Sequence, residues 1–187
     1  MFFKKAFLAT ALALSAWGAQ AQTFQLTSPD FSPDQMLDSK FTFSGMGCKG
    51  ANVSPALAWA NPPEGTRSFA LMVHDPDAPT GGAGIWHWVV VNIPATAHEI
   101  AQGAGTNDGA GLPAGSRQVR NDYEQTGWGG PCPPKGAKAH RYNFTLYALG
   151  VEKLEFPADA TASHAGFLIN RNAIGKAQLT VPYGREN

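Results

Sequence analysis

The stretch HDPDAPTGGAGIWHWVVVNIP, from His74 to Pro94, decides how the rest of this chain is read. Its second half, from Ile85, is β-branched and aromatic, the composition of a half-buried strand. Just upstream, Phe69, Leu71 and Val73 alternate with other residues and form a second strand. The turn between the two is stiffened by Pro76 and Pro79, which fix φ. Because successive side chains of a strand point to opposite faces, Ile85, His87, Val89 and Val91 are expected on one side. Trp86, Trp88 and Val90 take the other. Asp75 falls just past the end of the first strand and Asp77 follows on the turn.

A second segment, GGPCPPKGAKAHRYNFTLYAL from Gly129 to Leu149, repeats this layout. A rigid Pro/Gly loop leads into a strand whose first residue is a histidine. Here His140, Tyr142, Phe144, Leu146 and Ala148 share a face, with Arg141, Asn143, Thr145 and Tyr147 opposite. A polar ring at the end of an apolar row sits at the rim of a core, where a few polar groups can converge on a small ligand. The two segments therefore predict one site built from Asp75, Asp77, His87, His140 and Tyr142, with Pro134 as a wall.

Two carboxylates would repel an anion unless they are neutralised locally. If each aspartate accepts a hydrogen bond from a ring N–H or from loop amides, it orients a histidine and favours its protonated form. Imidazolium, the Tyr142 hydroxyl and exposed amides can then meet a phosphate oxygen, with affinity rising as the pH falls through the histidine range. Two His and two Asp are also acceptable ligands for Zn²⁺ in a hydrolase, although no HExxH-type spacing sets both imidazoles on one element. A glycosidase pair of Asp75 with Asp77 is poorly spaced on a single turn. Ser54 is not in a nucleophile elbow. His74, His98 and His164 are read as ordinary satisfied groups, Trp86, Trp88, Phe144 and Tyr147 as packing residues, and Arg141 as a structural hydrogen-bonding residue.

The motifs DPDAP (Asp75 to Pro79), HW (His87, Trp88) and GPCPPKG with HRYNFTLYAL (Gly130 to Leu149) resemble the two signature regions of the phosphatidylethanolamine-binding protein family, which includes Raf kinase inhibitor protein. NVSPALAW (Asn52 to Trp59) and RNDY (Arg120 to Tyr123) are similar to its bacterial, Raf kinase inhibitor-like branch. The resemblance implies a pocket for phosphoethanolamine, phosphotyrosine or simple anions, no cofactor, and binding without catalysis. A second implied reading is an interaction module that inhibits a protease or kinase, and similarity to bacterial members implies a homodimer. It also sets Cys48 and Cys132 near the pocket, where an oxidising compartment allows a disulfide; the alternative is two buried thiols, since a Cα separation beyond about 7 Å forbids the bond. Animal members carry a further C-terminal helix bordering the pocket; this chain ends too soon for it, so no aromatic lid is expected.

At the start of the chain, Lys4 and Lys5, an apolar run from Ala6 to Trp17 and the AQA ending at Ala21 read as a secretory signal peptide cleaved after Ala21. The run is too short to span a bilayer, which takes roughly 20 residues, so no stable membrane insertion is expected. What remains, residues 22–187, suits a single domain, periplasmic or secreted. Two of the 14 Lys+Arg leave with the leader, so 12 face 14 Asp+Glu and nothing suggests nucleic acid as a partner.

Further short strands are expected at Phe24–Leu26, Lys40–Ser44, Leu57–Trp59, Ser68–Val73 and Gln178–Val181. A long surface loop is expected over Ala101–Gly115. The one extended helical pattern is Ser163–Ala177, with Gly175 as its stop and Phe167, Leu168 and Ile174 facing the core. The fold class is mostly β, an antiparallel β-sandwich-like core with one or two peripheral helices.

Overall fold

A computed structural model describes residues 22–186; the expected signal peptide lies outside the described residues. The strands are β1 (Gln25–Thr27), β2 (Ser44–Gly45), β3 (Cys48–Lys49), β4 (Leu57–Ala60), β5 (Ser68–Asp75), β6 (Ile85–Pro94), β7 (Glu99–Ile100), β8 (Arg117–Val119), β9 (His140–Leu149) and β10 (Ala173–Tyr183). Among the described residues a single α-helix, α1 (Ala162–Asn172), precedes β10. The strands form antiparallel sheets in the orders β10-β9-β5-β6-β8 and β1-β4-β7, with β2-β3 a separate hairpin. β5 and β6 are buried over most of their lengths, which explains why they read as near-continuous apolar runs.

The five-stranded sheet carries a core on each face. On one, Phe69, Leu71, Val73, Trp88, Val90, Tyr142, Phe144 and Leu146 pack with Leu26, Leu57, Trp59 and Ile100 of the three-stranded sheet. On the other, Met72, Val89, Val91, Val119 and Leu149 pack with Ala162, Ala165 and Ile169 of α1. Two layers of sheet with a helix outside is a stable way to bury both faces.

The alternation expected for β9 holds along its length, with Tyr142, Phe144, Leu146 and Ala148 all in the first core. The alternation expected for β6 does not. Val73 pairs with Trp88 and His74 with Trp86, so His87 is one extra residue inserted into the ladder. Such a bulge bends the strand and re-aims a side chain. Trp86 joins Val89 and Val91 on the helix side, whereas His87 turns to the face of Trp88 and Val90. Without the insertion the imidazole would lie with Val89 and Val91 against α1.

Three other expectations are corrected. The strand expected over Lys40–Ser44 begins only at Ser44, the first residue of β2: Ser39–Phe41 is a 3-10 turn whose cap, Asp38, accepts from the Lys40 N–H at 2.8 Å. The helix stops at Asn172, and Ala173 is already extended. Gly175 lies in β10, where a Cβ would come within 2.5 Å of Pro63, so its role is close packing. Phe167 and Ile174 do not face the core but are 63% and 46% exposed, and the buried side of α1 is Ala162, Ala165, Gly166 and Ile169.

Cys48 and Cys132 form a disulfide with their Cα atoms 5.9 Å apart. It ties β3 to the Pro-rich loop that enters β9. Arg185 reinforces the junction, donating to the carbonyls of Gly47 at 2.7 Å and Pro133 at 3.2 Å. No helix among the described residues is long and apolar enough to cross a membrane.

Candidate functional site

β5 ends at Asp75, β6 begins at Ile85 and β9 begins at His140, and pairing brings these ends to one edge of the sheet. There a cavity of about 50 Å³ is lined by Asp75, Ile85, His87, Tyr123, His140 and Tyr142, and closed by Ala78, Pro79 and the loop Cys132 to Pro134. Five of the six residues expected at a site, Asp75, His87, Pro134, His140 and Tyr142, thus line one cavity. Asp77 does not.

Asp75 is 3% exposed, and each of its oxygens is occupied. Oδ1 accepts from the backbone N–H groups of Asp77 at 2.9 Å and Ala78 at 3.1 Å. Oδ2 accepts from Nδ1 of His140 at 2.7 Å. The turn Pro76–Pro79 therefore wraps its amides around the carboxylate, so that the charge is neutralised by donors before it can repel a guest.

Asp77 has a different partner from the one expected. Its carboxylate accepts from the Arg141 backbone N–H and Nε, both at 2.9 Å, and from Nη2 at 2.6 Å. The Arg141 side-chain hydrogen bond holds its pKa down to about 2. Pro76 between the two acids sends them to opposite sides of the turn, and Asp77 clamps the outer face of β9. Arg141 is structural, as its strand face implied.

His87 donates from Nδ1 to the carbonyl of Gly129 at 2.6 Å. A carbonyl only accepts, so the proton sits on Nδ1 and Nε2 of the neutral ring offers a lone pair. Burial pushes the ring down from 6.5 to about 4, against the opposing pulls of the Gly129 carbonyl and the Asp75 charge. The expectation of two imidazolium groups is thereby corrected: His87 is neutral at pH 7. Nε2 of His87 and the hydroxyl of Tyr142 are both buried with no hydrogen-bond partner among the described residues. Burial also pushes the Tyr142 and Tyr123 hydroxyls above the ordinary tyrosine range, so both keep their protons. A buried polar atom without a partner carries a penalty of about 1–3 kcal/mol, and two around one cavity mark a place where a guest can supply the missing bonds.

Several contributors were not singled out from the sequence. Tyr123 lies edge-on to His87 with ring centroids 5.4 Å apart, and stacks on Phe43 at 4.6 Å. Asn121, 3% exposed, donates to the carbonyls of His87 and Gly127 and accepts from the N–H groups of Tyr123 and Gln125. Asn52 takes a positive φ of 53° and bridges the carbonyl of Trp128 to the N–H of Gly130. A Cβ on Gly130 would come within 2.2 Å of the Phe41 carbonyl, so the loop reaches its position only with glycine there. The RNDY motif was the available signal for Asn121 and Tyr123, but a polar loop gives no warning that its asparagine is a buried junction.

Among the described residues, no group of three or more His, Cys, Asp and Glu is arranged to hold a metal ion. The two cysteines are joined to each other, so Cys132 has no thiolate to offer as a nucleophile. Ser54 lies outside the cavity, its hydroxyl accepting from the Gly105 N–H at 2.8 Å.

Comparison with known proteins agrees with this architecture. The family model described as phosphatidylethanolamine-binding protein matches residues 27–184. YbcL of Escherichia coli K12 is 46% identical over 180 residues, covering 96% of this chain and 98% of its own. YbhB of the same organism is 42% identical over 159 residues, covering 85% and 99%. The crystal structure of Escherichia coli YbcL superposes with a TM-score of 0.84 at 47% identity, covering 87% of this chain and 99% of that one. A Chlamydia trachomatis homologue, CT736, gives 0.72 at 29% identity, covering 87% and 98%.

Proposed function

Because the chain belongs to the phosphatidylethanolamine-binding protein family, whose members are generally binding proteins, we propose that its cavity holds a small tetrahedral anion, such as a phosphate monoester head group, and releases it unchanged. The observation that carries this reading is a pair of buried polar atoms without a hydrogen-bond partner among the described residues, His87 Nε2 and Tyr142 Oη, on two side chains that line one cavity beside His140. A volume of about 50 Å³ suits a few water-sized groups, since one water needs roughly 10–15 Å³. The guest therefore inserts its head group alone.

The lone pair on His87 makes the site selective for a guest that carries an O–H. A phosphate monoester, with its second pKa near 6, gains such a proton as the pH falls. The P–OH then donates to His87 Nε2 and a terminal phosphoryl oxygen accepts from the Tyr142 hydroxyl. His140, whose Nδ1–H is held by Asp75, lines the same cavity. Export to an oxidising compartment, periplasmic or secreted, fits both the Cys48–Cys132 disulfide and the leader-like start of the chain.

Isothermal titration tests the proposal with phosphate, O-phosphoethanolamine and sulfate between pH 8 and 5.5. Affinity for the two phosphates is expected to rise by about tenfold on acidification, and sulfate, with no proton to donate in this range, to bind more weakly and nearly independently of pH. Tyr142→Phe removes one hydrogen bond and is expected to lower phosphate affinity by roughly five- to tenfold. Phosphate affinity unaffected by pH, by Tyr142→Phe and by His140→Ala would end this reading.

A further inference from the structure

A second concavity lies on the far side of the disulfide. It measures about 310 Å³, and Lys49, Lys135 and Arg185 all line it. Among the described residues, none of these three cations has a carboxylate within 4 Å, whereas Arg67, Arg141 and Lys153 are each ion-paired. Three uncompensated positive charges around one cleft, in a chain of formal net charge zero, concentrate a field that attracts an anion. The cleft is also built rather than incidental. Lys135 and Arg185 are joined by a parallel β-bridge, the Gly136 N–H donates to the Arg185 carbonyl at 3.0 Å, and the guanidinium is anchored on Gly47 and Pro133. That anchoring leaves guanidinium N–H donors over, since the group carries five.

The cleft and the cavity share a wall. Cys132, Pro133 and Pro134 line the cavity, while Cys48 and the next residue in the loop, Lys135, line the cleft. Tyr183, also on the cleft, pairs in register with His140. A ligand that places one head group against His87 and Tyr142 can lay a second anionic group across the disulfide onto the lysines. We infer that the Lys49–Lys135–Arg185 cleft is a second anion subsite, and that the preferred ligands carry two phosphate-like groups. The inference rests on the anion reading of the cavity.

The test uses methylphosphonate and a series of α,ω-alkane bisphosphonates with two to six carbons, titrated into the oxidised protein at 150 mM salt. One chain length is expected to bind at least about tenfold more tightly than methylphosphonate, because the second group docks at high effective concentration. In Lys49→Ala/Lys135→Ala, whose side chains are exposed and do not line the cavity, that gain is expected to vanish while methylphosphonate affinity stays within about threefold at this salt. Methylphosphonate binding with no gain at any length, or a gain that survives the double variant, overturns the subsite alone. Failure of methylphosphonate to bind at all overturns the anion reading of the cavity, and the subsite with it.

Discussion

Replacing Trp128 with alanine is expected to cost about 3–5 kcal/mol, the range for truncating a large aromatic in a core. Trp128 is 1% exposed although it lies in an irregular loop rather than a strand. Its ring stacks on Phe144 with centroids 5.8 Å apart and meets Trp88 edge-on at 5.9 Å. Its Nε1–H donates to the Phe41 carbonyl at 2.9 Å, so truncation leaves a buried acceptor unpaired as well as a void. Against a total stability of roughly 5–15 kcal/mol, the variant loses much of its margin. Urea denaturation is the measurement. Trp128→Phe, which keeps one six-membered ring but loses the hydrogen bond and leaves a smaller void, is expected to cost about 2–3 kcal/mol. A loss under about 1 kcal/mol for the alanine variant would show that the loop is not part of the core. Because Gly129, the next residue, holds His87 Nδ1 through its carbonyl, phosphate affinity should fall together with stability.

Acid should destabilise the protein well before its carboxylates titrate. His87 has a folded pKa of about 4 against 6.5 for the free ring. Between these values the unfolded chain binds the proton and the folded chain does not, so unfolding free energy falls as the pH is lowered from 6.5 and levels off near 4. The slope is at most about 1.4 kcal/mol per pH unit and the total on the order of 3 kcal/mol. Asp77 acts in the next window down. Its depressed pKa contributes stability that is present above the unfolded value of 3.8 and is lost as the pH falls through about 2. That contribution is small, because Arg141 is exposed and solvent screens the pair. Denaturation midpoints at pH 7 and pH 4.5, in buffers free of phosphate and acetate so that no guest stabilises the fold, check the first window. His87→Gln is expected to be less stable at pH 7 but flatter across this range. Equal wild-type stability at the two pH values would contradict a neutral, buried His87.

What could be read from the residues depended on how regular the backbone is. β9 is an unbroken strand, so counting by twos from His140 places Tyr142 and Phe144 correctly. β6 looks equally regular in sequence, yet one inserted residue moves His87 from one core to the other. Nothing in IWHWVVV marks the position of a bulge, because the insertion is decided by which residues of β5 pair with it. The two aspartates of DPDAP show the same limit. Side by side in sequence they are equivalent, but one is wrapped by amides and a histidine while the other clamps Arg141. The pairing of the cysteines was open to inference because composition and compartment bear on it, whereas the buried Asn121 and Trp128 sit in a stretch whose Gly and polar content resembles any surface loop. The helix overran in the reading because SHAGFLINRNAIGKA keeps its period through Asn172, and only the pairing of Lys176, Gln178 and Thr180 with β9 gives the last residues to a strand.

The disulfide spans 84 residues of sequence, and one of its two cysteines, Cys132, belongs to the lining of the cavity. Occupancy and oxidation state are therefore linked functions of one another. Whatever factor the guest's association constant loses when Cys132 is freed from Cys48, the equilibrium for reducing that bond is shifted by the same factor when the guest is present, since a thermodynamic cycle closes whichever way round it is travelled.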